Sequence, residues 1–268
     1  MAGQFIKMHG WGNDFVVIDA REHPVAMPAA RARAIADRHF GIGCDQLIVI
    51  EPSTTADVRM RIWNADGTEV ESCGNATRCV AKYLGGSPRI ETDGGLLCAT
   101  QADERVSINF PPPQWAWDAI PLAFPMDTQA MPVGWDDLAD PMAVNVGNPH
   151  VIFFVDNCDA VDLARIGPVI EQDALFPERV NVNVATITGP NSLRLRVWER
   201  GVGLTRACGT GATATAIAAI QSRRAASPVT VSLPGGDLTI EWQPGQPVHM
   251  HGPATEVFRG VADWGHFG

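Results

Sequence analysis

The stretch Arg59-Met-Arg-Ile-Trp-Asn64 has a second copy further along the chain, Arg194-Leu-Arg-Val-Trp-Glu199, at a shift of 135 in the numbering. At the same shift, Gly12-Asn13 corresponds to Gly147-Asn148, Gln46 to Asn181, and Cys73-Gly74 to Cys208-Gly209. One matched hexapeptide could arise by chance, whereas several matches at one offset, close to half of the 268 residues, indicate a duplication. A repeat retained only for packing would match apolar positions, but it accounts poorly for matched amides and cysteines.

The residues around both copies predict the same order of elements. Polar and apolar side chains alternate in each hexapeptide, as in a half-buried strand, and Asn64-Ala-Asp-Gly67 is typical of a turn. Two helices are predicted further on, from Asn75 to Leu84 before Gly85-Gly86, and from Thr210 to about Ser222. The second helix is apolar nearly all round, which indicates burial. The chain is therefore expected to have an α+β fold made twice.

A proline-rich stretch, from Pro111 to Pro141, separates the two copies. Because proline interrupts helices and central strands, this stretch is predicted to connect two domains. We place the first domain at 1–116, carrying Cys73, and the second at 117–255, carrying Cys208.

The composition restricts the class of protein. A net charge of −10 and a pI near 5.1 argue against binding to nucleic acid, which requires a basic surface. No apolar run reaches the ~20 residues that a membrane-spanning helix needs, and residues 1–9 lack the pattern of a secretion signal. We therefore expect a cytoplasmic protein without a membrane partner, with reduced cysteines.

Cofactor and metal sites find little support in the sequence. Only Lys7 and Lys82 could form the Schiff base that pyridoxal phosphate requires. His249 and His251 would share one face of a strand, but no third metal ligand stands at a suitable spacing. The glycines of Gly10-Trp-Gly12 precede a predicted strand, whereas a dinucleotide site needs a helix there. We expect no cofactor and no metal.

Cys73 and Cys208 each stand at the predicted start of a helix. A helix N-terminus lowers the pKa of a thiol, and only the thiolate acts as a base. The first-turn N–H groups of a helix also bind carboxylates and stabilise negative charge that develops on them. The α-carboxylate of a bound amino acid would accept hydrogen bonds from the backbone of four residues, Gly74, Asn75, Gly209 and Thr210.

This arrangement predicts the inversion of an amino-acid stereocentre. One thiolate would remove the α-proton, and the other thiol would deliver a proton to the opposite face. Either cysteine alone could be a packing residue, because free cysteine is among the most buried residue types. Two at helix starts, related by the repeat, favour catalysis. The other cysteines lack this setting and are expected to be packing residues; they are Cys44, Cys79, Cys98 and Cys158.

The motifs of the chain resemble those of the diaminopimelate epimerase family over nearly the whole length. They are Met8-His-Gly-Trp-Gly-Asn-Asp-Phe15, Gly41-Ile-Gly-Cys-Asp-Gln46, Asn64-Ala-Asp-Gly67, Cys73-Gly-Asn-Ala-Thr-Arg-Cys79, Gly147-Asn-Pro-His150, Glu178-Arg-Val-Asn181, Trp198-Glu-Arg-Gly201 and Ala207-Cys-Gly-Thr-Gly211. The resemblance implies two pseudosymmetric domains, each a mixed sheet wrapped around a central helix, with a final strand at 256–268 returning to the first domain. It also implies a homodimer that interconverts LL- and meso-diaminopimelate, for lysine and peptidoglycan synthesis, without pyridoxal phosphate or metal.

The resemblance also assigns residues to the distal end of the substrate. Arg200 and the amides of Asn64 and Asn181 would bind the distal carboxylate, and Glu199 would pair with the distal ammonium. Arginine suits this role because its planar fork binds a carboxylate through two hydrogen bonds. The remaining polar residues assigned to the site are Asn13, Gln46, Asn148 and His150, the last of them near the thiols.

Three positions depart from the family pattern. Leu204 stands where glutamate is frequent, Ala76 where glycine is common, and His251 where threonine is usual. None of them replaces a thiol or a substrate contact, so we expect them to affect only the packing around the site.

Three alternative functions remain open at the level of the sequence. A proline or hydroxyproline racemase would share the architecture, but it typically carries histidine where this chain has Asn75, and its substrate has no distal group for Glu199 and Arg200. An isomerase of another small acid that works without thiols would not need both cysteines. A redox switch in a binding protein would form a reversible disulfide and would not exchange substrate protons with solvent.

Overall fold

The computed structural model describes residues 2–71, 73–102 and 105–267. They form two compact units, one that runs to Ile108 and resumes from Gly252, and another at Asn109–His251. We call them the first and the second unit. The domain limits predicted from the sequence, at residues 116 and 255, stay a prediction, and Gly268, the end of the predicted final strand, lies outside the described residues.

The structure contains few helices among many strands. Up to the middle of the chain the elements are β1 (Ala2–Gly10), β2 (Asn13–Asp19), α1 (Ala29–Ala36), β3 (Gln46–Glu51), β4 (Val58–Asn64), β5 (Glu69–Val70), α2 (Gly74–Leu84), β6 (Arg89–Thr92), β7 (Gly95–Ala102) and β8 (Arg105–Phe110). They continue with β9 (Gly134–Trp135), β10 (Leu138–Ala139), β11 (Met142–Asn145), β12 (Pro149–Phe154), α3 (Leu163–Glu171), β13 (Asn181–Gly189), β14 (Ser192–Glu199), β15 (Gly203–Thr205), α4 (Gly209–Gln221), β16 (Val229–Leu233), β17 (Gly236–Glu241), β18 (Val248–Pro253) and β19 (Thr255–Asp263). Short 3₁₀ helices lie at Cys158–Ala160 and Trp264–Phe267.

Both units have the same strand pairing. In the first unit β2 runs parallel to β3 and β3 antiparallel to β4, and β12, β13 and β14 are related in the same way in the second unit. The facing residues are Phe15 with Gln46, Leu47 with Trp63, His150 with Asn181, and Val182 with Trp198. Each residue of the second unit lies 135 positions after its counterpart, so the sequence repeat is a repeat of the fold. The predicted α+β class, with two duplicated mixed-sheet domains, is confirmed.

The numbering difference between equivalent elements changes at the end of the central helices. α2 and α4 begin at Gly74 and Gly209, which still differ by 135 in the numbering, whereas β6 and β16 begin at Arg89 and Val229, which differ by 140. Of the five additional residues of the second copy, two lengthen α4, which has 13 residues against 11 in α2, and three lie between α4 and β16. In the first unit β19 pairs with β1 in antiparallel fashion, with Phe5 opposite Gly260.

The two central helices begin one residue before the positions predicted from the sequence. Cys73 and Cys208 keep extended backbone angles and act as N-caps, so the helices start at the glycines that follow them. α4 buries nearly every residue and lies against β11–β14, β16 and β17, as its apolar sequence predicts. α2 lies against β1, β2 and β7, and ends at Gly85, whose φ of 75° suits glycine.

Two further helices cover other parts of the sheets. α1 packs on β3 and β4, and α3 packs on β13, β14 and β15, each over a cluster of buried apolar side chains. None of the helices in the described part of the chain is both long enough and apolar enough to span a membrane.

The proline-rich stretch is not an exposed connection. It belongs to the second unit, where Ile120, Leu122 and Met131 are buried in the core beneath α3. Prolines set the backbone angles of this stretch, while the apolar residues between them are still able to pack. Its backbone is tied to the sheet, since the N–H of Ala143 donates to the carbonyl of Thr128 at 2.7 Å.

Substitution of Gly67 is expected to destabilise the first unit more than substitution of Gly85. Both glycines have positive φ, 84° and 75°, where alanine costs about 1–2 kcal/mol. A Cβ at Gly67 would also lie 2.4 Å from the carbonyl oxygen of Ala29, whereas a Cβ at Gly85 meets open space. Urea unfolding followed by circular dichroism should therefore give a larger loss for Gly67→Ala. Equal losses would show that the turn can move away from α1 freely.

Candidate active site

Cys208 is buried at the start of α4. Its side chain is 3% exposed, and its Sγ accepts a hydrogen bond from the backbone N–H of Gly211 at 3.3 Å. The hydroxyl of Thr210 lies 3.6 Å from the same sulfur. A Cβ at Gly211 would come within 3.2 Å of Sγ and 2.8 Å of Oδ1 of Asn183, so glycine is required for this close approach.

The carboxylate of Glu199 is the charged group beside Cys208. Burial raises the pKa of the Cys208 thiol well above its ordinary value, and the negative charge of Glu199 raises it further. Burial also raises the pKa of Glu199, while a hydrogen bond from the Cys208 thiol acts in the opposite direction. Both effects favour the protonated thiol at Cys208. The family resemblance assigns Glu199 only to the distal ammonium, whereas its charge also acts on Cys208.

Cys73 is half-buried at the start of α2. Its Sγ lies 4.0 Å from Oδ1 of Asn13, which also accepts a hydrogen bond from Nδ2 of Asn75 at 3.0 Å. Oδ1 of Asn75 in turn accepts from the guanidinium of Arg78 at 2.6 Å. The backbone N–H and the hydroxyl of Thr77 both donate to the carbonyl of Cys73, which fixes the first turn of the helix.

Gln46 and Asn64 form a pair of amides at the adjoining ends of β3 and β4. Nε2 of Gln46 donates to Oδ1 of Asn64 at 3.0 Å, and Nδ2 of Asn64 donates to the hydroxyl of Thr68 at 3.2 Å. Oε1 of Gln46 is buried and accepts no hydrogen bond from the described residues. This oxygen is available to a ligand that carries donors, such as an ammonium group.

A charged cluster next to the amide pair orders the loop before β3. Arg38 bridges Asp14 and Asp45, with both contacts at 2.6 Å, and Lys7 pairs with Asp14. Burial alone would raise the pKa of Asp14, but hydrogen bonds from Arg38 and Lys7 lower it to about 2. Oδ2 of Asp45 accepts from Nδ2 of Asn13 at 3.1 Å, so the cluster also orients that amide.

In the second unit, Asn181 holds the backbone of Arg200. Oδ1 of Asn181 accepts the N–H of Arg200 at 2.9 Å, and its Nδ2 donates to the carbonyl of Pro149 at 2.8 Å. The buried carboxylate of Glu171 accepts from the indole of Trp198 at 2.7 Å and from the N–H of Gly201 at 2.9 Å. Hydrogen bonds to Asn181 and to Glu171 thus hold the backbone of the turn that carries Glu199 and Arg200.

His150 is fully buried and neutral. Burial is the main reason that its pKa falls from 6.5 to about 3; the hydrogen bond with Asn183 raises the pKa, and the charge of Arg200 lowers it. Nδ2 of Asn183 donates to the carbonyl of Val151 and lies 3.0 Å from Nδ1 of His150, so Nδ1 is the acceptor. The ring proton is therefore on Nε2, and it is directed to Oδ1 of Asn148 at 2.9 Å.

Each unit brings its own predicted residues to the start of its central helix or to the neighbouring strand ends. In the first unit these are Asn13, Gln46, Asn64, Cys73, Gly74 and Asn75. In the second unit they are Asn148, His150, Asn181, Glu199, Arg200, Cys208, Gly209 and Thr210.

Sequence reasoning missed two polar residues next to the predicted ones. Asn183 is fully buried within β13, and Arg78 is fully buried within α2. The position of Asn183 two residues after Asn181, on the same face of β13, was the available signal for Asn183, and a basic residue inside a buried helix was the signal for Arg78. No group of three His, Cys, Asp or Glu side chains placed to hold a metal ion occurs among residues 2–71, 73–102 and 105–267.

Comparison with known proteins identifies the family. The sequence profile of diaminopimelate epimerase matches residues 5–115 and 142–257. The diaminopimelate epimerase of Sphingopyxis alaskensis is 64% identical over 268 residues, which cover 100% of both chains. This chain belongs to the diaminopimelate epimerase family. It is therefore an isomerase, an epimerase that acts on an amino acid.

Solved structures with low sequence identity share the fold of this epimerase. A PhzF-family phenazine biosynthesis protein of Enterococcus faecalis has a TM-score of 0.73 at 15% identity, covering 98% of this chain and 100% of its own. A hydroxyproline epimerase of Agrobacterium vitis has a TM-score of 0.68 at 15% identity, covering 97% and 92% of the two chains. At this identity the likeness concerns the fold alone. The family match, and not the fold, separates this epimerase from the racemase alternative.

His150→Gln is expected to reduce the loss of stability at low pH. The folded pKa of about 3 lies below the ordinary 6.5, so the folded state resists a proton that the unfolded chain accepts. The stability from neutral His150 is complete above pH 6.5 and falls by about 1.4 kcal/mol per pH unit as the pH drops towards 3. Urea unfolding at pH 7.5 and pH 4.5 measures this slope. The exposed His23→Gln is the control, and an identical slope in both variants would contradict the assignment.

Proposed function

We propose that this epimerase interconverts LL- and meso-diaminopimelate, using Cys73 and Cys208 as the acid–base pair and no cofactor. The observation that carries the proposal is the equivalent position of the two cysteines. Each is the N-cap of the central helix of its unit, and the two are related by the same shift of 135 that relates the strands. A stereocentre is inverted when an acid and a base act on opposite faces, and a duplicated thiol supplies both.

The proposed reaction transfers one proton to sulfur and another from sulfur. One thiolate takes the α-proton, so the C–H bond breaks and an S–H bond forms. The electron pair left on the α-carbon delocalises into the α-carboxylate, whose oxygens accept from the first-turn N–H groups. Such preorganised donors contribute about 2.7–4 kcal/mol each to transition-state stabilisation in comparable sites. The other thiol then gives its proton to the opposite face and becomes a thiolate.

Glu199 gives Cys208 a means of changing its protonation state. The Cys208 thiol is protonated because of burial and the neighbouring carboxylate, which suits it to donate a proton. For the reverse direction, Glu199 can accept the thiol proton, since its own pKa is raised by burial. Cys208 can then act as the base towards the other isomer.

The polar residues of both units are proposed to bind the rest of diaminopimelate. Arg200 would bind the distal carboxylate, assisted by the amides of Asn64 and Asn181, and Glu199 remains assigned to the distal ammonium. The buried Oε1 of Gln46 provides a further acceptor for an ammonium group. Asn13 and Asn148 complete the polar surface, the second oriented by His150 at 2.9 Å.

The lysines of the chain support a reaction without pyridoxal phosphate. Lys7 is paired with Asp14 and donates to the carbonyl of Gly43, so its amine is committed to structure. Lys82 is in the last turn of α2, at the opposite end of the helix from Cys73. We also propose the cellular roles that the family implies, lysine and peptidoglycan synthesis in the cytoplasm, and a homodimeric assembly.

The deciding experiment is a reaction from LL-diaminopimelate in heavy water, stopped early. Because the removed proton and the delivered proton sit on different sulfurs, the meso product should carry deuterium at the inverted centre. The remaining LL substrate should stay almost unlabelled. Mass spectrometry of the separated isomers measures both. Product that retains the original hydrogen, or label that accumulates first in recovered LL substrate, would indicate a single base.

Alanine at either proposed catalytic cysteine should abolish inversion, because one face of the α-carbon then lacks its proton carrier. Cys98→Ala is the matched control: Cys98 is exposed, so the expectation that it is a packing residue was wrong, and it should be replaceable without loss of activity. Turnover by Cys73→Ala or Cys208→Ala at an appreciable fraction of the normal rate would rule out the two-thiol reaction.

Arg200→Lys should reduce kcat/KM for diaminopimelate at least about a hundredfold, because a point charge does not replace a bidentate fork. The control is Arg165→Lys, at an exposed arginine of the same unit that pairs with Asp136. Steady-state kinetics of both variants test the assignment of the distal carboxylate. An Arg200→Lys enzyme with kinetics close to those of the control would remove that assignment.

A further inference from the structure

We propose that Glu171 is a positioning residue for Arg200: its two carboxylate oxygens hold the turn that presents the Arg200 guanidinium to the substrate. This inference rests on the proposed function, since it specifies what orients the residue assigned to the distal carboxylate. It is carried by the hydrogen bonds around one turn of the second unit and by a difference between the two copies of the fold.

The turn that carries Arg200 does not bind all of its own N–H groups. It joins β14 to β15, and the N–H of Val202 donates to the carbonyl of Glu199 at 3.0 Å. Gly201 has a φ of 75°, which suits the third position of a type II turn. In such a turn only the N–H of the last residue is bonded within the turn, so the N–H groups of the two central residues require other partners.

Those partners are buried side chains from two different elements. The N–H of Arg200 donates to Oδ1 of Asn181, in β13, at 2.9 Å. The N–H of Gly201 donates to Oε1 of Glu171, the last residue of α3, at 2.9 Å. Asn181 is 3% exposed and Glu171 4% exposed. The two bonded nitrogens lie on either side of the Cα atom of Arg200, so together they fix the direction in which its side chain leaves the turn.

The two hydrogen bonds of Glu171 require a carboxylate. Its Oε1 accepts from Gly201, and its Oε2 accepts from the indole N–H of Trp198 at 2.7 Å. Glutamine has one acceptor oxygen and one donor NH₂ group in the same places, so one N–H donor would face another. The indole is closely packed, since a Cβ at Gly167 of α3 would lie 2.6 Å from its Cγ atom, and it has little room to move away.

Glu171 also contacts the segment that binds the far end of the Arg200 side chain. Nη1 of Arg200 donates to the carbonyl of Glu178 at 3.2 Å. The next residue, Arg179, has a φ of 62°, a left-handed conformation that residues other than glycine seldom adopt. Its guanidinium pairs with Oε1 of Glu171 at 3.7 Å, a contact that favours this conformation. Glu171 therefore supports the guanidinium of Arg200 as well as its backbone.

The first copy of the fold has neither the carboxylate nor the arginine. The shift of 135 takes Glu171 to Ala36, which is the last residue of α1 as Glu171 is of α3. The same shift takes Arg200 to Ala65. A buried charge is costly to keep, and it occurs in the copy whose turn carries a side chain for a ligand.

The test compares Glu171→Gln with Trp198→Phe and with the double variant, each in the whole protein. Glu171→Gln keeps the size of the side chain but leaves one N–H donor, that of Gly201 or of the Trp198 indole, without an acceptor. In the double variant the indole donor is gone, so the glutamine oxygen can accept from Gly201 again. Glu241→Gln is the matched control, at an exposed glutamate of the same unit.

Hydrogen exchange of the Gly201 amide, followed by nuclear magnetic resonance, measures the turn without substrate. Gly201 is exposed, yet its N–H should exchange at least about tenfold more slowly than in an unstructured peptide, because a buried carboxylate binds it. Exchange should be at least about fivefold faster in Glu171→Gln, and the double variant should stay within about twofold of Trp198→Phe. Wild-type exchange at the rate of an unstructured peptide would overturn the proposal even if no variant folds.

Steady-state kinetics with diaminopimelate measure the effect on substrate. Glu171→Gln should raise KM about tenfold and change kcat less than about threefold, because the distal carboxylate is bound alike before and during proton transfer. The double variant should have a KM within about threefold of that of Trp198→Phe, since the bond to Gly201 is restored. A role in folding alone would lower the amount of active enzyme and leave KM as it is. An unchanged KM in Glu171→Gln, or a double variant with a KM as high as that of Glu171→Gln, would overturn the proposal.

The two measurements separate this proposal from the proposed function. If the wild-type protein does not epimerise diaminopimelate, and Glu171→Gln still removes the protection of Gly201, the proposed function is rejected and Glu171 keeps its role in the turn. If the wild-type protein epimerises diaminopimelate, and Glu171→Gln changes neither exchange nor KM, only the role of Glu171 is rejected.

Discussion

The start of a buried helix is the constraint around which each unit is organised. A helix surrounded by strands cannot leave its first-turn N–H groups to water, so they must be satisfied by the N-cap, by neighbouring side chains or by a ligand. Cysteine at the N-cap meets part of this need, as the bond from Gly211 to Cys208 shows. The cysteine N-cap in turn requires glycine at position 211, because a side chain there would collide with the sulfur and with Asn183.

Duplication gave both units the same arrangement of strands but not the same charged residues. The strand register places polar residues at equivalent ends, yet Asn64 corresponds to Glu199, and Arg78 to Thr213. The proposed two-thiol reaction needs one cysteine protonated and the other ionised, whereas two identical thiols in identical surroundings would ionise together. The divergence of a few buried residues changes the local charge around the two cysteines, while the strand register stays the same.

Much of the fold and of the site follows from the repeat. The constant shift predicted the paired strands and the two central helices, because alternation and helix ends are local properties of the chain. The contact between Glu199 and Cys208 could not be predicted in this way, because it depends on how the end of β14 meets the start of α4. The burial of Arg78 and Asn183 was also hidden, since local patterns do not show which polar residues face inward.

In the proline-rich stretch, too, the local sequence does not show which residues are buried. Its composition is typical of a linker, but Ile120, Leu122 and Met131 are covered by the second unit. Composition reports backbone preference, whereas burial depends on whether apolar side chains find a surface to pack on.

The position at which the shift between the two copies changes indicates where such a chain can accept insertions and deletions. Every residue proposed to touch substrate precedes the end of its central helix, and the shift of 135 is kept up to that end, where α4 runs two residues longer than α2. The first portion of each copy is therefore a module of fixed length, in which an insertion would shift a thiol relative to its amides. The remaining portion serves as scaffold and can gain or lose residues while the chemistry is inherited unchanged.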